Sequence, residues 1–339
     1  MVMTTIKEIA DLAGVSRGTV DRVLNNRGSV NPQTEEKVRE IARALNYRPN
    51  RAGLALAAQK KKYKIGVILF HKENPFFDDV NKGVKEKAEE LKDYGFETLT
   101  KRVKFDAEAQ AAAIDELMET GINGLMLAPY NAPLIQKKID EVVDQGIPVV
   151  TLNTDISGSK RIAYVGSDYY RGGCIAAGLL SLMRDGDIHL GIISGSGNVL
   201  CHSERIRGLK ETIEKFYPQI HIAETVENHD DEFESYSLTR KMLKNHPEIN
   251  ALFFVAAGVS GGCKAIQESG RQLKVITFDD VPTTLKMLEA GVISVTISQK
   301  PRKQGSLSLD ILFDYLTSGQ KPEKELNLIE HSIKIRESE

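Results

Sequence analysis

Apolar residues at the start of the chain recur with helical spacing. Ile6, Ile9, Ala10 and Ala13 fall on one face of a first helix, and Val20, Val23 and Leu24 on one face of a second. Thr5 followed by Glu8 is a capping box for the first helix, Gly14 permits a tight turn, and Ser16 is placed to cap the second. A third helix is predicted from Asn31-Pro32, with Val38, Ile41, Ala42 and Leu45 inward and Tyr47 closing a small core. Arg48-Pro49 ends it. Residues 50–58 read as a weak helix: short isolated helices are marginal in water, and the interior Gly53 costs about 1 kcal/mol more. Residues 59–62 are a basic linker.

From Lys64 the pattern changes to apolar strands alternating with amphipathic helices. Strands are predicted at 64–70, 122–128, 147–152, 188–194, 251–255 and 275–278, with a further apolar run at 292–297. Helices are predicted at 79–91, 107–120 and 132–145. Such alternation indicates parallel sheets covered on both faces. About 275 residues exceed one such unit, so two lobes are expected.

The outer face of the second helix shows Arg17, Gly18, Asp21, Arg22 and Asn25. Two short helices joined at a glycine, the second polar outward, make a helix-turn-helix whose second helix enters the major groove of DNA. Arg17 and Arg22 are the candidates for reading base edges, and Gly18 leaves room there. Ser16, Thr19 and Asn25 suit phosphate contacts. Charge agrees: the chain carries net −2, yet residues 1–62 hold twelve Lys/Arg against six Asp/Glu, and the remainder 33 against 41. A basic head on an acidic body suits a polyanion-binding module attached to a part that binds something else.

The run Ala13-Gly14-Val15-Ser16, Thr19-Val20, Arg22-Val23-Leu24-Asn25, Leu45-Asn46-Tyr47 and Pro49-Asn50-Arg51 resembles the lactose-repressor family of bacterial transcription regulators. The resemblance implies a helix-turn-helix headpiece at 1–47, a hinge helix and linker at 48–63, and an effector-binding and dimerisation domain at 64–339. It adds Thr5 and Asn50 to the DNA-facing positions. It also implies that Leu56 wedges into a minor-groove base step while Leu54 packs the paired hinge helices.

The later residues resemble the ribose-binding type of periplasmic binding protein. The markers are Asn74-Pro75-Phe76-Phe77, Ile147-Pro148-Val149-Val150 before Asn153, Arg205 with Arg207-Gly208, and Phe278-Asp279 followed by 296–301. The implied fold has two Rossmann-like lobes, about 64–166 with 300–323 and about 167–299 with 324–339. Ligands of parallel sheets sit beyond the carboxyl ends of strands. That places Asn74, Phe76, Phe77, Asn153, Asp279 and Gln299 around a cleft, and the resemblance adds Arg205. Aromatic rings stack on sugar faces, while amides, carboxylates and guanidinium satisfy hydroxyls. Sugar-binding relatives usually carry Asp at Asn153, often Arg at Thr154, and an Asn-Asp pair near Ala256-Ala257, so fewer hydroxyls are served here.

The expected partners are a palindromic operator and a small effector, a sugar or polyol, acting on a homodimer. A non-sugar ligand for the same build is the alternative, and a solute-binding protein a weaker one. No cofactor or metal is expected, because the seven histidines show no ligand spacing. Nor is an enzyme. The 194–198 stretch lacks the lysine of a phosphate loop, and Cys201-His202-Ser203 has no nucleophile elbow; adjacent residues rarely point at one another. Cys174, Cys201 and Cys263 are too widely spaced for a zinc site or disulfide framework. The sequence shows no signal peptide, membrane span or terminal leucine heptads, so a cytoplasmic dimer is expected.

Overall fold

The computed structural model describes residues 5–24, 28–45, 47, 62–70, 74–183, 185–197 and 199–338. Asn25, Asn50, Leu54 and Leu56, and with them the expected hinge helix, lie outside the described residues.

The headpiece has three helices, α1 (Ile6–Ala13), α2 (Arg17–Leu24) and α3 (Pro32–Ala44). Its start signals act as the sequence predicts. The Thr5 N–H donates to Glu8 Oε2 at 2.7 Å, and the Glu8 N–H to Thr5 Oγ1 at 3.3 Å. Gly14 ends α1 in the left-handed region at φ 70°, which a glycine adopts without steric cost. Ile9, Val20, Val23, Leu24 and Val38 are buried between the helices, and Tyr47 packs against them.

The body then runs β1 (Tyr63–Phe70), α4 (Pro75–Leu91), β2 (Phe96–Val103), α5 (Ala107–Glu119), β3 (Gly124–Leu127), α6 (Pro133–Asp144), β4 (Val149–Leu152) and β5 (Ala163–Gly166). A second series follows: α7 (Tyr169–Met183), β6 (Ile188–Ser194), α8 (Leu200–Phe216), β7 (Ile220–Glu227), α9 (Glu232–Asn245), β8 (Ala251–Phe254), α10 (Val259–Ser269), β9 (Lys274–Phe278), α11 (Pro282–Glu289) and β10 (Val295–Ser298). The chain ends with α12 (Pro301–Ser318), β11 (Leu326–Leu328) and β12 (Ser332–Lys334).

These strands form two six-stranded sheets, ordered β11-β5-β4-β3-β1-β2 and β12-β10-β9-β8-β6-β7. Strand order reverses between β1 and β3 in one and between β6 and β8 in the other, so each lobe has its own topological switch point. The chain crosses between lobes at 167–168, 299–300 and 329–331. The last crossing corrects the expected boundary. Residues 324–339 do not all join the second lobe, because β11 pairs in parallel with β5, Leu326 against Tyr164, and only β12 joins β10.

Strands β2, β5 and β7 escape the hydrophobic pattern. β2 and β7 are sheet edges whose positions after the first are half-buried or exposed, and they carry polar residues such as Lys101, Arg102 and Glu224. Helix α4 begins at Pro75, earlier than expected, because Asn74 caps it and proline tolerates the first helical position.

Helices α7 and α8 pack closely in the second lobe. A Cβ on Gly208 would lie 2.0 Å from the Tyr170 carbonyl oxygen, and one on Gly173 would lie 1.9 Å from that of Arg205. Backbone cannot yield as a side chain does. Gly208→Ala is therefore expected to cost about 1–3 kcal/mol by overpacking, read as a lowered midpoint in thermal unfolding. An unchanged midpoint would show that the helices separate freely.

Candidate functional site: a DNA-reading helix and an inter-lobe cleft

Helix α2 turns its apolar face inward and leaves Arg17, Gly18 and Arg22 exposed. Ser16 Oγ accepts the Thr19 N–H at 3.1 Å and lies 2.9 Å from Thr19 Oγ1, so both hydroxyls hold the helix start at the outer surface. Arg22 folds back along that face: its Nε donates to the Gly18 carbonyl at 3.2 Å and its Nη2 reaches Thr19 Oγ1 at 3.4 Å. These bonds are long and exposed, and engagement of a base edge would exchange them. Thr5 is exposed and serves the capping box.

The cleft residues come from the carboxyl ends of strands in both sheets. Asn153 follows β4 and Asp279 follows β9, both in the left-handed region, at φ 59° and 67°. Each donates its N–H to the neighbouring strand, Asn153 to Val165 O and Asp279 to Ile297 O, both at 2.9 Å. Asn and Asp tolerate this conformation better than most residues. The two lobes thus present an amide and a carboxylate at equivalent places.

Arg205, on α8, is buried, with its guanidinium 3.8 Å from the centre of the Phe278 ring. Its Nη1 donates to the Val255 carbonyl at 2.7 Å, at the second lobe's switch point. Gln299 lies on the second crossing and donates Nε2 to Asp279 Oδ1 at 2.7 Å. Burial raises the Asp279 carboxyl above its ordinary range, opposed by Arg205 and by the Gln299 bond. Among the described residues, Arg205 Nε and Gln299 Oε1 are buried without a hydrogen-bond partner. A buried donor and acceptor left unpaired beside a carboxylate are what a hydroxylated ligand would satisfy.

In the first lobe the expected residues are engaged within the lobe itself. Asn74 Oδ1 accepts the Phe76 N–H at 3.0 Å, so its carbonyl is engaged as a helix cap. Phe76 and Phe77 are buried in the lobe core, Phe77 edge-on to Phe70 at 5.5 Å. The aromatic row continues through Phe70 to Phe105 and on to Tyr130, with centroids 4.7 and 4.8 Å apart. These residues stand at the ends of β1, β2 and β3. Phe105 is 56% exposed, so it is the ring open to solvent, and it was not among the expected residues. The cue was the position of Phe105 just after β2, a strand the pattern did not reveal.

Cys201, His202 and Asp230 also escaped prediction. His202 is buried, with Nδ1 3.1 Å from the Ser196 carbonyl. Spacing held the signal: 201 and 202 precede Arg205 by four and three positions, which shares a helix face. The departures noted in the sequence are filled locally. Thr154 Oγ1 donates to Pro129 O at 2.8 Å, and the Ala257 N–H donates to Asp230 Oδ1 at 2.9 Å.

An exposed polar helix on a basic headpiece, joined to a two-lobed body with buried polar groups at strand ends, is the arrangement of a ligand-controlled DNA-binding protein. Comparison with known proteins agrees. Residues 5–50 match the bacterial regulatory proteins of the lacI family, and residues 65–321 match the periplasmic binding protein domain. A ribose operon repressor of Halalkalibacterium halodurans is 28% identical over 295 residues, covering 83% of this chain and 81% of that protein. The ribose import binding protein RbsB of Bacillus subtilis is 25% identical over 279 residues, covering 80% and 87%. A solved solute-binding protein of Burkholderia graminis, in complex with D-arabinose, superposes with TM-score 0.75 at 27% identity, covering 82% of this chain and 96% of that one. The chain belongs, over most of its length, to the periplasmic binding protein domain family, and it carries in front of that body a DNA-binding domain of the lacI family of bacterial regulatory proteins, the build of a transcription regulator.

Proposed function

We propose that this regulator is a repressor that binds a palindromic operator as a homodimer in the cytoplasm and releases or tightens on it when a sugar or polyol fills the inter-lobe cleft. It acts by binding, not turnover. Arg17 and Arg22 read bases, Ser16 and Thr19 hold phosphates, and Asp279, Gln299, Arg205 and Asn153 hold the effector. The unpaired Arg205 Nε and Gln299 Oε1 beside Asp279 carry the reading. The names of the relatives support a pentose-sized ligand.

Coupling follows from differential affinity. An effector contacting both lobes favours one lobe angle, which changes the separation of the two headpieces across the dimer. Because Thr154 and the Ala256-Ala257 pair offer few side-chain partners, the ligand presents fewer hydroxyls than a fully substituted hexose. Thermal scanning against pentoses, deoxy-sugars, hexitols, nucleosides and amino acids, followed by calorimetry of the hits, tests this. A small pentose or deoxy-sugar is expected to raise the unfolding midpoint, by about 2.7 kcal/mol of added stability at a hundredfold excess over Kd. Stabilisation by nucleosides or amino acids alone would refute the sugar assignment.

A further inference from the structure

Ala256 and Ala257, just beyond β8, carry no polar side chain. A carboxylate from another strand stands beside them. Asp230 follows β7, and its Oδ1 accepts the Ala257 N–H at 2.9 Å. The turn that carries Asp230 is closely held. Asn228 is fully buried; its Oδ1 accepts the Asp230 N–H at 3.0 Å, and its Nδ2 donates to the Ala257 carbonyl at 2.9 Å. His229 and Asp230 both take the left-handed region, at φ 50° and 62°. Such residues persist only where their surroundings over-determine them, and they cluster at ligand sites. A Cβ on Gly195, just beyond β6, would lie 2.4 Å from the His202 ring and 3.0 Å from Asp230 Oδ1, so a glycine there lets both groups close in. Asp230 is nevertheless exposed, and its Oδ2 makes no hydrogen bond among the described residues.

We propose that Asp230 is a specificity-determining residue of the effector site, accepting a ligand hydroxyl where Ala256 and Ala257 offer no side-chain partner. Its position agrees. Strands β8, β6 and β7 are neighbours in the second sheet, and Ala257, Gly195 and Asp230 follow their carboxyl ends, at the switch point where ligands of parallel sheets sit. Arg205 bonds the Val255 carbonyl, two residues before Ala257. Burial raises the Asp279 carboxyl while Arg205, the Gln299 bond and His202 oppose it, so His202 is a neighbour of both carboxylates. A carboxylate with one oxygen fixed by a backbone N–H and the other free can only accept. It therefore favours a hydroxyl over a hydrogen at the same ligand position. In the first lobe, Asn74 Oδ1 and Thr154 Oγ1 are spent within the lobe, and Phe105 is the exposed ring. The effector thus turns its hydroxylated edge to the second lobe and its deoxygenated or apolar face to the first.

This inference rests on the cleft being a sugar site, and the experiment separates the two. Calorimetry of the full-length protein uses D-ribose, D-arabinose and the 2-, 3- and 5-deoxy derivatives of the better-bound pentose. Asp230→Asn keeps an oxygen for the Ala257 N–H and sets a donor where the free oxygen stood. Its affinity for that pentose should fall roughly tenfold or more, the effect of losing a hydrogen bond to a charged group. The derivative lacking the hydroxyl that Asp230 holds should bind wild type and variant equally. Should Asp230→Asn fail to fold, Asp230→Gly, which suits the left-handed backbone, is read in the same way. Wild-type affinity in the variant, or an equal loss for every derivative, would overturn the proposal and leave the sugar site standing. Failure of the wild-type protein to bind either pentose would overturn the pentose reading and this one with it.

Discussion

Replacing Asp279 with alanine is expected to abolish effector binding while leaving operator affinity in the absence of effector near wild type. Asp279 sits at the end of β9, bonded through Oδ1 to Gln299 and close to Arg205. Its removal leaves ligand hydroxyls without an acceptor in a site shielded from water, a loss of roughly 1–3 kcal/mol for the unpaired groups, with the orphaned Arg205 adding to it. Calorimetric titration of the sugar identified by scanning gives the answer, and wild-type affinity in the variant would refute the cleft as drawn. Asp279→Asn has a second expected effect. Because burial raises the native carboxyl above its unfolded value, the folded state holds the proton more tightly than the unfolded state. The group's contribution to stability is therefore full at low pH and falls as pH rises through the native value. At neutral pH the isosteric amide removes that burden, so the variant should unfold at a higher temperature than wild type. The advantage should shrink as pH drops toward the ordinary carboxylate range of about 4. A constant gap across pH would mean that the ionised group carries no burial cost.

Deleting residues 1–58 is expected to eliminate sequence-specific DNA binding and leave a folded body. The headpiece buries its own core of Ile9, Val20, Val23, Leu24 and Val38, while each lobe of the body has a sheet and core of its own. The solved arabinose-binding relative matches this body almost along its whole length. Losing the basic segment removes the phosphate contacts that dominate affinity, so the intact protein should bind operator with a steep negative salt dependence and the truncated one should not shift it. Gel shift across salt concentrations and thermal unfolding of the truncated chain measure both halves of the statement. Specific binding retained by the truncation would place the reading surface elsewhere.

Local features were the most legible. The capping box at Thr5 and Glu8, the left-handed Gly14 and the Asn31-Pro32 start are each fixed by residues within four positions of one another. Strand β6 was read to its ends because its residues are almost all buried and apolar. Edge strands β2 and β7 were not, since one face and one edge meet solvent and their polar residues break the pattern. The fate of residues 324–334 was also illegible. Two three-residue strands separated by a short crossing join different sheets, and nothing in so short a stretch records which partner awaits it.

The candidate site divides along the same line. Asp279, Asn153 and Gln299 were placed from sequence because each follows an apolar strand, and the ends of parallel strands face the cleft. Phe76 and Phe77 were placed by the same argument and are buried in the lobe core, while Phe105, which was not foreseen, is exposed. The sequence by itself determined the function class, because a helix-turn-helix is specified by short-range spacing and an amphipathic face. Only the tertiary structure decided which side chains share the cleft. Arg205 lies on the Phe278 ring and bonds the Val255 carbonyl, and Asp230 bonds the Ala257 N–H, across long separations in sequence, through packing within the second lobe. Such contacts depend on burial, which local spacing does not encode.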